Sequence, residues 1–130
     1  MIQRKRIYAA YAADDGARFL VDRLWPRGVA KEAAHLDGWL KVIAPSTALR
    51  QAYHQGECGY TELGERYQVE LLSQPEAVAC LADLAERSMT QTITLVYAAR
   101  DETQNHVQIL MTILQDEFGA ACAAEGKTQL

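Results

Sequence analysis

The sequence has too few cysteines, in the wrong pattern, for a stapled fold. Cys58, Cys80 and Cys122 are odd in number and lie 22 and 42 residues apart, which fits neither a disulfide framework nor paired zinc-ligand spacing and points to a reducing cytoplasm. No apolar run approaches the roughly 20 residues that cross a bilayer. The basic opening followed by residues 7–13 imitates a signal peptide, but the apolar run is short and holds Tyr8 and Tyr11. A glycine-rich phosphate loop is missing, and His35, His54 and His106 show no metal-ligand spacing, so neither a dinucleotide cofactor nor a metal is expected. Internal repeats and low-complexity segments are also absent.

What is present is an ordinary globular composition: 130 residues, 49% hydrophobic and 23% charged. That length suits one domain over residues 1–130, with about two thirds of the unfolded chain's surface buried and no staple required. The net charge of −4 is unevenly spread, with seven Lys/Arg against three acids in residues 1–31 and six against fourteen in residues 32–130. A nucleic-acid binder that works through phosphates needs a broad basic face, which this balance argues against. A small anion near the N-terminal segment remains compatible.

Residues 2–10 alternate loosely as a first strand, and Asp14-Asp15-Gly16 supplies a turn. Residues 18–24 read as a second strand; the link of about seven residues is too short for a parallel crossover, so the two are antiparallel or not neighbours. Leu36, Trp39, Leu40 and Ile43 predict a helix over 31–44 that Pro45 stops. Ser46 or Thr47 caps a short helix carrying Leu49, Ala52 and Tyr53, and Tyr60, Leu63, Tyr67 and Leu71 form another stripe. Ser73 with Glu76 reads as a capping box for a helix burying Ala77, Leu81, Leu84 and Ala85. Residues 92–99 are branched and almost continuously apolar, as in a central strand covered on both faces. A final helix over 103–118 follows, with Asp101 and Gln104 at its cap, and residues 125–130 read as frayed.

Two segments carry the chemistry. Asp22-Arg23-Leu24-Trp25-Pro26-Arg27-Gly28 with Lys31 sets three cations at a strand end; guanidinium groups clasp phosphate or carboxylate, and Gly28 lets backbone approach. The plainer explanation is an ion pair around Asp22 with Trp25 plugging the core. Arg100 to His106 again lies where a strand enters a helix, and the first helical N–H groups favour an anion. A lone histidine there is more often an ordinary surface residue. Both segments sit at carboxyl ends of predicted core strands, where ligands bind in open α/β sheets, so Arg23, Arg27, Lys31, Arg100 and His106 are expected to converge if the strands are parallel and close. In a third group, capping explains Ser46 and Thr47, while Arg50 and His54, four residues apart, share a helix face. Cys58 lies between glycines and acids, a poor setting for thiolate chemistry.

Lys5-Arg6-Ile7-Tyr8, residues 20–28 with Lys31, Trp39-Leu40-Lys41, residues 44–50, and residues 97–101 with Asn105-His106 closely resemble the YeaO-like family of bacterial domains of unknown function. The resemblance covers nearly the whole chain and implies no established reaction. The family's marked positions fall here on Asp22, Arg23, Trp25, Pro26, Arg27, Gly28, Lys31, Ser46, Thr47, Arg50, Tyr97, Asn105 and His106. Members often carry an acid where this chain has Ala9 and a base where it has Gly64. A related longer branch places a cysteine where this chain has Asn105, so thiol chemistry does not carry over.

The expectation is a single three-layer α/β domain, a small, mainly parallel sheet flanked by helices. The leading function is a small cytoplasmic enzyme acting on a phosphorylated or nucleotide-like anion. In it Arg23, Arg27, Lys31 and Arg100 bind the anion, His106 moves a proton, Asn105 orients the substrate, and Asp22, Trp25, Gly28, Ser46, Arg50 and Tyr97 line the pocket. The rival is a non-catalytic module that binds an anionic metabolite or regulates a partner. Exposed tyrosines would suit a homodimer interface, and core packing explains them equally well.

Overall fold

Ile93–Tyr97, all five residues buried, is the strand around which the rest is arranged. In the computed structural model, which describes residues 1–123, four strands lie in one sheet: β1 (Ile2–Arg6), β2 (Ala17–Leu20), β3 (Gly38–Trp39) and β4 (Ile93–Tyr97). Their order is β1-β4-β2-β3, and every pairing is parallel. The short link between β1 and β2 thus resolves into non-neighbours, with β4 between them. Ile93 stands opposite both Ile2 and Ala17. Among the described residues the α-helices are α1 (Lys31–Ala34), α2 (Thr47–His54), α3 (Tyr60–Leu72), α4 (Pro75–Arg87) and α5 (His106–Phe118).

Strand alternation divides the core in two. Ile93, Leu95 and Tyr97 join Ile2 and Phe19 in the main core with the inner faces of α2 to α5. Val96 belongs to a smaller cluster with Ile7 and Ala34, against which Trp25 and Leu36 pack. The chain is therefore an α/β domain with a parallel sheet, as expected.

Four local readings need correction. The helix expected over 31–44 is only α1; His35 turns left-handed at φ 52°, β3 pairs with β2, and a 3₁₀ turn spans Lys41–Ile43. Asp37 enforces the break, since its backbone N–H donates to the Arg18 carbonyl at 2.7 Å and its Oδ2 accepts from the Arg18 N–H at 2.8 Å. Ser73 does not open α4: it closes α3, and α4 starts from Gln74 with Pro75 in its first turn, where a missing N–H costs nothing. The last helix starts at His106 with Asn105 as its cap, not at Thr103. The second strand ends at Leu20 rather than Leu24. The residues expected to fray, 125–130, lie outside the described residues.

A buried ion cluster fixes β2 against α1. Arg18 is 2% exposed; its Nη1 lies 2.6 Å from Asp15 Oδ2, and its Nε and Nη2 donate to the carbonyls of His35 and Ala34. Lys5 Nζ meets the other Asp15 oxygen at 2.8 Å.

Candidate functional site

Leu20 lies opposite Val96 in the parallel ladder, so the chain leaves β2 and β4 at the same sheet edge. Beyond the strands a side chain continues the pairing, with Asp22 Oδ2 accepting from the Ala98 backbone N–H at 3.0 Å. The first residue of α5 joins them: His106 Nε2 lies 3.0 Å from the Val21 carbonyl. A carbonyl only accepts, so Nε2 carries a proton there. Asp22 Oδ1 is 3.2 Å from the same Nε2, yet it accepts no hydrogen bond, because that proton points to Val21.

Asn105 is 3% exposed and structurally committed. Its Oδ1 accepts from the Gln108 N–H at 2.9 Å, its Nδ2 donates to the Asp101 carbonyl at 2.9 Å, and its own carbonyl accepts from the Tyr60 hydroxyl at 2.8 Å. Burial pushes the Tyr60 phenol up to about 12. Asp101 Oδ1 accepts from the N–H groups of Gln104 and Thr103 and from the Thr103 hydroxyl, which together hold its carboxyl below the ordinary value.

A cavity of about 490 Å³ opens at this edge, within the range of small-molecule sites. Its polar lining includes the carboxylates of Asp22 and Asp101, the guanidinium groups of Arg23, Arg50 and Arg100, and Gln104, Asn105 and His106, and Trp25, Tyr53, His54 and Leu63 contribute to its walls. The loop after β2, the start of α2 and the start of α5 thus meet. Arg23 donates from Nε to the Pro45 carbonyl at 2.9 Å and from Nη2 to that of Ala44 at 3.2 Å, so its charge faces neutral partners. Arg50 Nε is buried without a hydrogen-bond partner. Beneath, the Tyr67 hydroxyl donates to the Ile43 carbonyl, and burial, with the Asp22 and Glu70 carboxylates, pushes its phenol well up. The Tyr67 and His106 rings stand edge to face at 6.3 Å.

Five residues expected at the site are not among those lining this cavity. Arg27 and Lys31 are exposed, and the Arg27 carbonyl accepts from the Tyr8 hydroxyl at 2.9 Å. Gly28 serves a turn at φ +74°. Ser46 caps α2, its Oγ accepting from the Leu49 N–H at 3.1 Å while donating to Glu70. Tyr97 is a core residue, 2% exposed. Conversely, Tyr53 lines the cavity without having been singled out for it; its spacing of three from Arg50 on α2 is the signal that would have found it. Among the described residues no group of three or more His, Cys, Asp or Glu gathers to hold a metal, and no helix is long and apolar enough to cross a membrane.

The model of the family described as the inactive DUF488-N3 subclade matches residues 1–129. The Escherichia coli K12 protein named "Uncharacterized protein YeaO" is 45% identical over 109 residues, covering 84% of this chain and 92% of that protein. "Uncharacterized protein Rv3073c" of Mycobacterium tuberculosis H37Rv and "Uncharacterized protein Mb3100c" of Mycobacterium bovis are each 37% identical over 109 residues, covering 84% of this chain and 89% of theirs. No solved structure matches the chain.

Proposed function

The chain belongs to the family described as the inactive DUF488-N3 subclade, a YeaO-like family, and on that premise we propose that its cavity recognises an anionic small molecule without transforming it. One observation carries this reading. Arg23, Arg50 and Arg100 line one cavity with the carboxylates of Asp22 and Asp101, three fixed positive charges against two negative ones. That net positive lining favours an anion. Three free cysteines fit a reducing, cytoplasmic setting.

The enzymatic reading comes second. The close approach of Asp22 to His106 favours it, as a carboxylate beside an imidazole is a common proton-moving pair. Against it, the Nε2 proton and one bond at each end of the Asn105 amide hold strand, loop and helix together, and the family's description is of an inactive branch. Calorimetric titration with phosphate monoesters, followed by chromatography of the same samples, tests the proposal. Saturable binding with every ligand recovered intact supports it; product formation replaces it with the enzymatic reading, and no binding defeats both.

A further inference from the structure

Several polar groups at the cavity already have partners inside the fold. The Asn105 amide, His106 Nε2 and the Arg23 guanidinium bond to backbone groups, and Asp101 Oδ1 accepts from Thr103 and Gln104. Two features of the lining remain open to a ligand. Arg100 is exposed, and its guanidinium makes no ion pair or hydrogen bond among the described residues. Leu24 is 60% exposed and shares the lining with half-buried Trp25 and Tyr53 and exposed Ala99. A lone exposed leucine is ordinary, whereas apolar residues gathered at one cavity mark a surface that binding covers. The one polar atom of the Trp25 ring, Nε1, donates to the Val29 carbonyl at 2.8 Å, so the rest of the indole offers only carbon. Resting on the anion-binding reading above, we propose that the cavity selects an aromatic oxyanion, an aryl phosphate or aryl carboxylate, over a polyhydroxylated one such as a sugar phosphate. Its charged head meets the arginines, of which Arg100 is the most exposed, and its ring lies against Leu24, Trp25 and Tyr53. The cavity, at about 490 Å³, exceeds what a single oxyanion needs. Against that apolar surface a sugar's hydroxyls would lose water without gaining partners.

The test compares phenyl phosphate, ribose 5-phosphate and inorganic phosphate by calorimetry at about pH 8, where each phosphate is mainly a dianion. The charge of the head is then shared and only the body differs. Phenyl phosphate should bind at least about tenfold more tightly than either of the others, because its ring removes apolar surface from water. Leu24→Ser should narrow that preference about threefold, since it takes carbon from the lining, and should leave inorganic phosphate unaffected. At its exposure the substitution does not threaten the fold.

Phenylacetate, titrated beside them, assigns the head group. Tighter binding than phenyl phosphate assigns a carboxylate, equal or weaker binding a phosphate, and either upholds the proposal. Ribose 5-phosphate or inorganic phosphate binding as tightly as phenyl phosphate overturns it, and so does a preference unchanged in Leu24→Ser. Those results leave the anion reading standing, since the phosphates still bind. Absence of binding by all four ligands overturns both.

Discussion

His106 Nε2 and the Val21 carbonyl, 3.0 Å apart, join the start of α5 to the end of β2 across 85 positions of sequence. The imidazole is thereby a strut of the cavity. Replacing His106 by Ala should lower the free energy of unfolding by about 1–3 kcal/mol, because the Val21 carbonyl loses its donor. His106→Gln retains a donor and should cost less. Urea unfolding of the two variants checks this, and equal stability of His106→Ala and wild type would contradict it.

Asp15 supplies the acid dependence. Burial pushes its carboxyl up, but the Lys5 ammonium, the Ala12 N–H and the Arg18 guanidinium outweigh that and hold it below the ordinary value. The native state therefore binds this proton less readily than the unfolded chain. Its contribution is complete above the unfolded value of about 3.9 and drains away as pH falls through the lower native one. Asp15→Asn should flatten that acid limb and cost about 3–5 kcal/mol at neutral pH, since Arg18 is left as an uncompensated buried charge. Unfolding free energies between pH 2 and pH 7 provide the comparison; an unchanged acid limb would contradict it.

Gly16 is fixed by backbone. It sits at φ +66°, and a Cβ there would lie 2.2 Å from the Thr92 carbonyl oxygen, which already accepts from Ala17 in the sheet at 3.0 Å. Gly16→Ala should cost more than about 2 kcal/mol, as neither the positive φ nor the sheet can yield cheaply. Thermal unfolding by circular dichroism reads this, and a loss under about 0.5 kcal/mol would refute it.

The thiols should be sluggish. Burial pushes the Cys80 thiol up, with the Asp83 carboxylate adding to it, and burial likewise raises Cys122 despite the nearby N-terminal ammonium; Cys58 is buried. Since the thiolate is the reacting species, an aromatic disulfide reagent at pH 7.5 should release far less than one equivalent in the time that the urea-unfolded chain yields all three. Rapid native labelling would contradict this.

Much of this was legible in the sequence where the signal is local. The apolar run containing β4 needs cover on both faces, and the run itself says so. Ser46 before Leu49 reads as a cap because the bond it makes spans three residues. The failures share a cause, which is that a distant partner decides. Leu36, Trp39, Leu40 and Ile43 have helical spacing, yet Gly38–Trp39 pairs with Phe19 and Leu20, and Leu36 and Ile43 serve different core clusters. Asp22 to Leu24 look like strand but leave the ladder after the Val21 N–H has donated to the Val96 carbonyl, and the Asp22 side chain accepts from the Ala98 N–H in place of a backbone carbonyl. The carboxyl-end rule located the cavity edge and the loop bearing Asp22 and Arg23. It gave no means of telling Arg27, which is exposed and not among the cavity's lining, from Arg50, which lines it.

That distinction frames the most direct measurement. The melting temperature should be followed in sulfate and in chloride at equal ionic strength, for wild type, Arg50→Ala and Arg27→Ala. A ligand bound only by the native state stabilises by about 2.7 kcal/mol at one hundred times its Kd, so the wild-type protein should melt several degrees higher in sulfate. Arg27→Ala should retain that increment, and Arg50→Ala should lose most of it while melting normally in chloride. An increment of the same size in Arg50→Ala, or none in the wild type, would contradict the account.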